Sequence, residues 1–377
     1  MNLAAAVFLL LHGFAHLVGF VGAWRLSSTV PYKTTILNGR FELGDGGVRV
    51  FGILWLLAAL TFAVAAVGAF LRSPWWGTLT LLIALFSGVL CVLSWPEAKL
   101  GLLVNVALIA LVALGAMARG KNLEGLYQAE VAAELAKHPV NAPGLITENG
   151  IAGLPPPVQR YFRASGFIGK PHTLNVRLHW SGMQLKRSHD ADWMELSCQQ
   201  FNSVAEPMRL ALMKGRMAGV IPFEGKDKYQ DGHGNMLIKL MKLITVGDSK
   251  GTSMDESALV TVLSETFMAP SYALQGYMKW QPVDERSARA ELTSNGITVS
   301  GIFHFNEADE LVRFDTNDRW QDGTPPKKLP WSAHLEGYRM AGGIRYATRV
   351  SATWHEPTGD YTYVKGTIDS VEFNVRN

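Results

Sequence analysis

Charged side chains are missing from four long stretches near the amino terminus, residues 2–24, 50–71, 73–96 and 100–118. Each reaches the roughly 17–25 residues a helix needs to cross the hydrocarbon core of a bilayer. The pattern therefore predicts a four-helix transmembrane unit over residues 1–121, with spans at about 2–24, 50–71, 75–96 and 100–118. Buried helices of a soluble protein can look alike one at a time, but four in succession on short loops do not fit that alternative. Met1-Asn2-Leu3 lacks a basic n-region and no small-x-small cleavage pattern precedes Arg25, so the first span reads as retained.

Beyond the last span the period changes. Leu123, Leu126, Tyr127, Val131 and Leu135 recur near helical spacing until Pro139, and the Pro- and Gly-containing run up to Gly153 reads as a linker, which makes 122–150 a helix and connection. In Leu154–Gly166, prolines suit a first helical turn, Val158, Tyr161 and Phe162 form one apolar face, and Gly166 suits the C-cap. From Leu174 onward apolar residues alternate, as in 174–180, 183–186, 288–292 and 302–305, with turn signals at Ser181-Gly182, Asp231-Gly232, Asn295-Gly296, Asn306-Glu307 and Thr358-Gly359-Asp360. A helix interrupts them at Asp255–Phe267, closed by Pro270. The expected fold of 151–377 is a water-soluble α+β domain: ten or more strands in a strongly curved antiparallel sheet, open and barrel-like, with two or three helices.

Charge adds three points. Arg25, Lys33, Arg40, Arg49 and Lys99 on one side of the spans outnumber Arg72, Arg119 and Lys121 on the other, which places the β-rich domain outside the cytoplasm of a multi-pass inner-membrane protein. After Gly153 there are 26 Lys and Arg against 25 Asp and Glu, interspersed, so no basic stripe for a nucleic acid exists. Cys91 falls in a span and Cys198 in the domain, so no intramolecular disulfide is expected.

Three residue sets carry candidate chemistry. His12 and His16 share one face of the first span, where they would bind a metal, haem iron or quinone oxygen, or else hydrogen-bond within the bundle, with Asn105 as partner and Gly13 and Gly19 allowing close helix approach. A haem would need a histidine on another span, and there is none. Asp231, His233 and Glu265 would supply acid–base catalysis if they converged; otherwise Asp231 forms a turn and Glu265 pairs with Arg319, which is expected beside Asp318 on a strand. Met208, Met213, Met217, Met236, Met241, Met254, Met268 and Met278 crowd mid-domain with Phe267 and Trp280, as plain core, as a groove for acyl chains, or as ligands for a soft metal such as copper(I). Gly-x-Ser-x-Gly, His-Glu-x-x-His, phosphate-loop and Cys-x-x-Cys motifs are missing.

The elements Leu154-Pro-x-x-Val-x-x-Tyr-Phe162, Tyr229-x-Asp-Gly-x-Gly234, Ser264-Glu265-x-x-x-x-Pro270 and the aromatic-rich strands ending at Asn374 resemble an uncharacterised bacterial family of membrane-anchored proteins over roughly 150–377. His12-Gly-x-x-His16-x-x-Gly-Phe20 and Gly101-Leu-Leu-Val-Asn105 resemble a four-helix module found before that domain. The resemblance implies no activity and no catalytic residues. In architecture the expected domain is also similar to the lipoprotein-carrier half-barrels of bacterial envelopes, an analogy of fold alone. The expectation is a binding protein, not an enzyme, that needs no cofactor and whose partners are the bilayer and a lipid or other amphiphile. Met208, Met213, Met217, Phe267, Trp280 and Arg319 would contact that ligand. A structural or interaction role in the envelope, or a hydrolase using Asp231, His233 and Glu265, are the alternatives.

Overall fold

The computed structural model describes residues 2–120, 122–217, 219–323 and 325–376, in two compact units, Met1–Gly120 and Lys121–Asn377. Met1 and Lys121, used above for the signal-peptide and charge arguments, lie outside the described residues, as does the side chain of Arg119.

In the first unit the uncharged stretches become α1 (Asn2–Ala23), α2 (Gly44–Phe70), α3 (Trp76–Leu93) and α4 (Lys99–Gly120). The first three are long and apolar enough to cross a membrane. The fourth holds a shorter apolar segment, Lys99–Gly115, which falls below that length among the described residues. Leu3, Leu11, Phe14, Leu57, Leu60 and Leu103 stand exposed on the outside of the unit, the reverse of a water-soluble bundle. Glycine sets the α1–α2 contact: a Cβ on Gly13 would lie 2.9 Å from Phe62 Cβ, and one on Gly19 would lie 2.5 Å from the Trp55 ring.

In the second unit α5 (Leu123–Lys137) starts at Asn122, whose side chain accepts from Gly125 N–H, and α6 (Pro156–Ala164) starts on prolines as its sequence requires. Among the described residues the alternating segments form one sheet of thirteen strands, in keeping with the ten or more expected. They are β1 (Asn175–Leu185), β2 (Met194–Ser203), β3 (Met208–Met217), β4 (Ile221–Gln230), β5 (His233–Leu240) and β6 (Ile244–Ser249), then, after α7 (Thr252–Ser264), β7 (Met278–Asp284), β8 (Ser287–Ser294), β9 (Ile297–Phe305), β10 (Leu311–Thr316), β11 (Trp331–Glu336), β12 (Arg349–Glu356) and β13 (Gly359–Phe373).

Their order is β6-β5-β4-β3-β2-β1-β13-β12-β11-β10-β9-β8-β7, antiparallel throughout. Two meanders are thus sewn together by the first and last strands, Val176 opposite Phe373 and Leu178 opposite Val371. The sheet is not closed, because β6 and β7 are its two edges.

It is nonetheless strongly curved, since α7 packs against β4 and β5 from one meander and against β8 and β9 from the other. The β4–β5 and β8–β9 turns meet: a Cβ on Gly232 would lie 2.7 Å from Asn295 Cβ. Helix α7 needs no polar face because the sheet wraps it, and Leu259, Val260, Val262 and Leu263 are wholly buried. Tyr161, Phe162, Phe167, Phe267, Phe303 and Phe305 fill the rest of the concavity. On the convex face Leu123, Tyr127, Val131 and Leu135 of α5 pack against Phe201, Met208, Leu210 and Leu212.

Candidate functional site

The two histidines of α1 sit in a closed hydrogen-bond circuit. His16 Nδ1 faces the carbonyl of His12 at 2.8 Å and so must donate. In the neutral ring its Nε2 then accepts from Ser87 Oγ, 2.5 Å away, while Ser87 accepts from Asn105 Nδ2 at 2.8 Å. Asn105 Oδ1 is left to accept from His12 Nε2 at 3.0 Å. Every direction is fixed once the carbonyl is placed, and His16 keeps no free ring nitrogen for a metal or haem iron. Phe62 and Trp55 close on the imidazoles, with ring centroids 4.9–5.3 Å away. Asn105 is the expected partner; Ser87 escaped sequence reasoning because a serine in an apolar span carries no signal until its neighbour is known.

Beside this circuit opens a cavity of about 540 Å³ within the helical unit, a size suited to a small ligand. His12 and His16 line it at mid-helix, and Lys33 and Glu97, themselves an ion pair, line it in the loops. Between them the wall includes Val18, Val48, Phe51, Trp55, Leu100 and Val104. The lining of α1 runs from His12 to Ala23, about 16 Å at 1.5 Å per residue.

The β-rich unit offers less space. The cavity in its concave core, bordered by Tyr161, Leu178, Phe267, Tyr338 and Ile368, is about 30 Å³, room for little more than water. Of the residues expected to contact an amphiphile, this cavity is lined by Phe267, and not by Met208, Met213, Met217, Trp280 or Arg319. Met208 points to the opposite face, against α5, and its carbonyl accepts from Tyr272 Oη at 3.1 Å. Phe267 is buried in the aromatic core, with Trp280 packed beside it. Met213 belongs to a separate cluster with Leu196, Cys198, Ala211 and Phe223, flanked by half-buried Met183, Met194, Met217 and Met236.

Asp231, His233 and Glu265 do not converge. Asp231 and His233 stand exposed at the β4–β5 turn, where Asp231 adopts φ 52° and His233 Nδ1 lies 4.0 Å from Asp255. Glu265 is buried, accepting from Gln200 Nε2 at 2.7 Å, Asn202 Nδ2 at 3.0 Å and Arg209 Nε at 2.9 Å. Its cationic partner is thus Arg209, not Arg319. Asp227 also takes a bond from Arg209, at 2.6 Å. Burial opposes the charge on Arg209, but Glu265 and Asp227 outweigh it and hold its pKa above the ordinary value. Asp318 and Arg319 lie in the loop after β10, not on a strand. Arg319 Nη1 donates to the carbonyl of Ser257 at 3.0 Å and to Thr261 Oγ1 at 2.7 Å, under the Trp331 ring.

A Ser–His–Asp line that sequence reading missed crosses the convex face of β11–β13. His355 lies 2.7 Å from both Ser332 Oγ and Asp360 Oδ1. The distances are those of an acyl-transfer triad, but the electrostatics are wrong for one. Ser332 is 2 % exposed and donates to Asp315 at 2.6 Å, so a carboxylate faces the oxygen that would have to carry negative charge. Neither cavity is lined by it. The line is a cross-strand polar ladder.

A family model described as a family of unknown function, DUF6544, matches residues 144–366. No curated protein matches. Among solved structures, the crystal structure of a LolA superfamily protein from Nitrosomonas europaea is 10% identical, the match covering 58% of this chain and 94% of that chain with a TM-score of 0.33. So loose a likeness carries no detail of a site.

Proposed function

We propose, from the premise that this chain belongs to DUF6544, a family of unknown function, that it is a membrane-tethered binding protein for a lipid or other amphiphile. The observation that carries this reading is the cavity of about 540 Å³ among the helices, with a charged pair at its loop end and imidazoles at its inner end. A polar headgroup would sit by Lys33 and Glu97, and the apolar body would run along Val18, Trp55 and Val104 towards His12. Burying that body against apolar walls stabilises the complex by about 25 cal/mol for each Å² removed from water. In this reading α4 is a fourth span, the unit crosses the bacterial inner membrane, and the β-rich domain lies outside the cytoplasm.

The test is native mass spectrometry of the full chain, purified in mild detergent, alongside Val104→Trp, which fills the cavity. The wild type should carry a bound amphiphile that the variant lacks. Equal loading of the two, or none in either, would overturn the assignment.

A further inference from the structure

Among the described residues ten large apolar side chains stand exposed in the β-rich unit, and six of them, Val220, Ile221, Met241, Leu243, Ile244 and Val246, fall in two adjacent turns and the strands that leave them. Val220 and Ile221 close β3 onto β4; the other four close β5 onto β6. The turns touch, since Met241 N–H donates to the carbonyl of Pro222 at 2.8 Å. Turn positions ordinarily take Gly, Asn, Asp or Ser. Here Met241 and Lys242 hold positive φ, 52° and 65°, a conformation that favours glycine. Their residue types answer to something other than the turn.

From this tip we infer that the β3–β4 and β5–β6 turns insert their apolar side chains into the interface of a lipid bilayer. Lys214, Arg216 and Lys242 border the tip, and Arg216 is exposed. Their acidic neighbours are Glu124, 2.7 Å from Lys214, Glu224, 3.3 Å from Lys242, and Glu195, which the β2–β3 register sets across from Arg216. Three cations and three anions balance around the tip, so the exposed apolar side chains themselves supply the interfacial anchor.

The chain also joins the domain at this end. Leu123, three residues after the last residue of α4, donates its N–H to Glu224 Oε2 at 3.2 Å, at the start of β4. Behind the tip the apolar surface continues through Met217, Phe223 and Leu240 into the half-buried methionine cluster. The inference rests on the bilayer placement proposed above but not on what fills the helical cavity.

The experiment uses the full chain with buried Cys91 and Cys198 replaced by alanine, one copy per nanodisc, and a nitrobenzoxadiazole label on Leu243→Cys or, as control, on Glu307→Cys in the exposed β9–β10 turn. Co-elution with the disc reports the helical anchor independently of the tip. Emission at 243 should shift to the blue and be lost when brominated lipid is included, while emission at 307 keeps its aqueous value. Adding Ile221→Ser and Ile244→Ser should reduce the quenching. Unquenched aqueous emission at 243 would overturn the inference. So would a blue shift that brominated lipid leaves intact and that appears only at two copies per disc, since the tip would then be covered by a second chain.

Discussion

Arg209 reaches Glu265 through one nitrogen: Nε lies 2.9 Å from both carboxylate oxygens, while Nη1 turns to Asp227. The contact ties the C-terminus of α7 to β3 and β4 inside the curved sheet. Replacing the cation strands two carboxylates, one of them buried. Arg209→Met should therefore destabilise the β-rich unit by about 3–5 kcal/mol, and Glu265→Gln, which still offers an acceptor to Gln200 and Asn202, by less. Thermal unfolding followed by near-ultraviolet circular dichroism checks the order; equal losses would contradict it.

Asp315 gives an acid limb to stability. Burial raises its pKa, but His304 and Arg313, each 2.9 Å from Oδ2, and the Ser332 hydroxyl outweigh that and bring it from 3.8 to about 2. A depressed folded-state pKa contributes stability that is full above the unfolded value and vanishes as pH falls through the folded one. Wild type should lose stability between about pH 4 and pH 2 more steeply than Asp315→Asn, with the two curves parallel above pH 5. The side chain is a third exposed, so the difference will be modest. Curves parallel over the whole range would refute the assignment.

Ser332 should not behave as a nucleophile. A fluorophosphonate probe applied to the native protein is expected to leave it unmodified. Ser332→Ala should cost about 1–3 kcal/mol, because Asp315 and His355 both lose a partner in a partly buried site. Stoichiometric labelling that His355→Ala abolishes would restore the enzyme reading.

The α1–α2 contact leaves no room at Gly13. In Gly13→Ala the added carbon would sit 2.9 Å from Phe62 Cβ and 3.1 Å from the Ala59 carbonyl oxygen, which is backbone and cannot rotate away. Overpacking of this kind costs about 1–3 kcal/mol. A lower melting temperature in detergent is the expected readout, and Gly115→Ala, where nothing lies within 4 Å, serves as the unaffected control.

Sequence by itself determined what depends on periodicity and on local chemistry. Uncharged runs marked the apolar helices, alternation and turn residues marked a many-stranded antiparallel domain, prolines and Gly166 bracketed α6, and His12 and Asn105 were legible as partners because polar groups in an apolar span must satisfy one another. Tertiary structure decided everything that depends on which distant strands share a face. Alternation says that Met208 and Met213 point to opposite sides of β3, but only the placement of α5 and α7 says which side is the concavity. Glu265 found Arg209, 56 residues earlier, and not Arg319, because the register of β2 with β3 sets Asn202 opposite Arg209 while the loop after β10 carries Arg319 to the carbonyl of Ser257. The line through Ser332, His355 and Asp360 is likewise a product of strand pairing. Hydrogen-bonded register is a relation between segments far apart in the chain, and no single segment contains it.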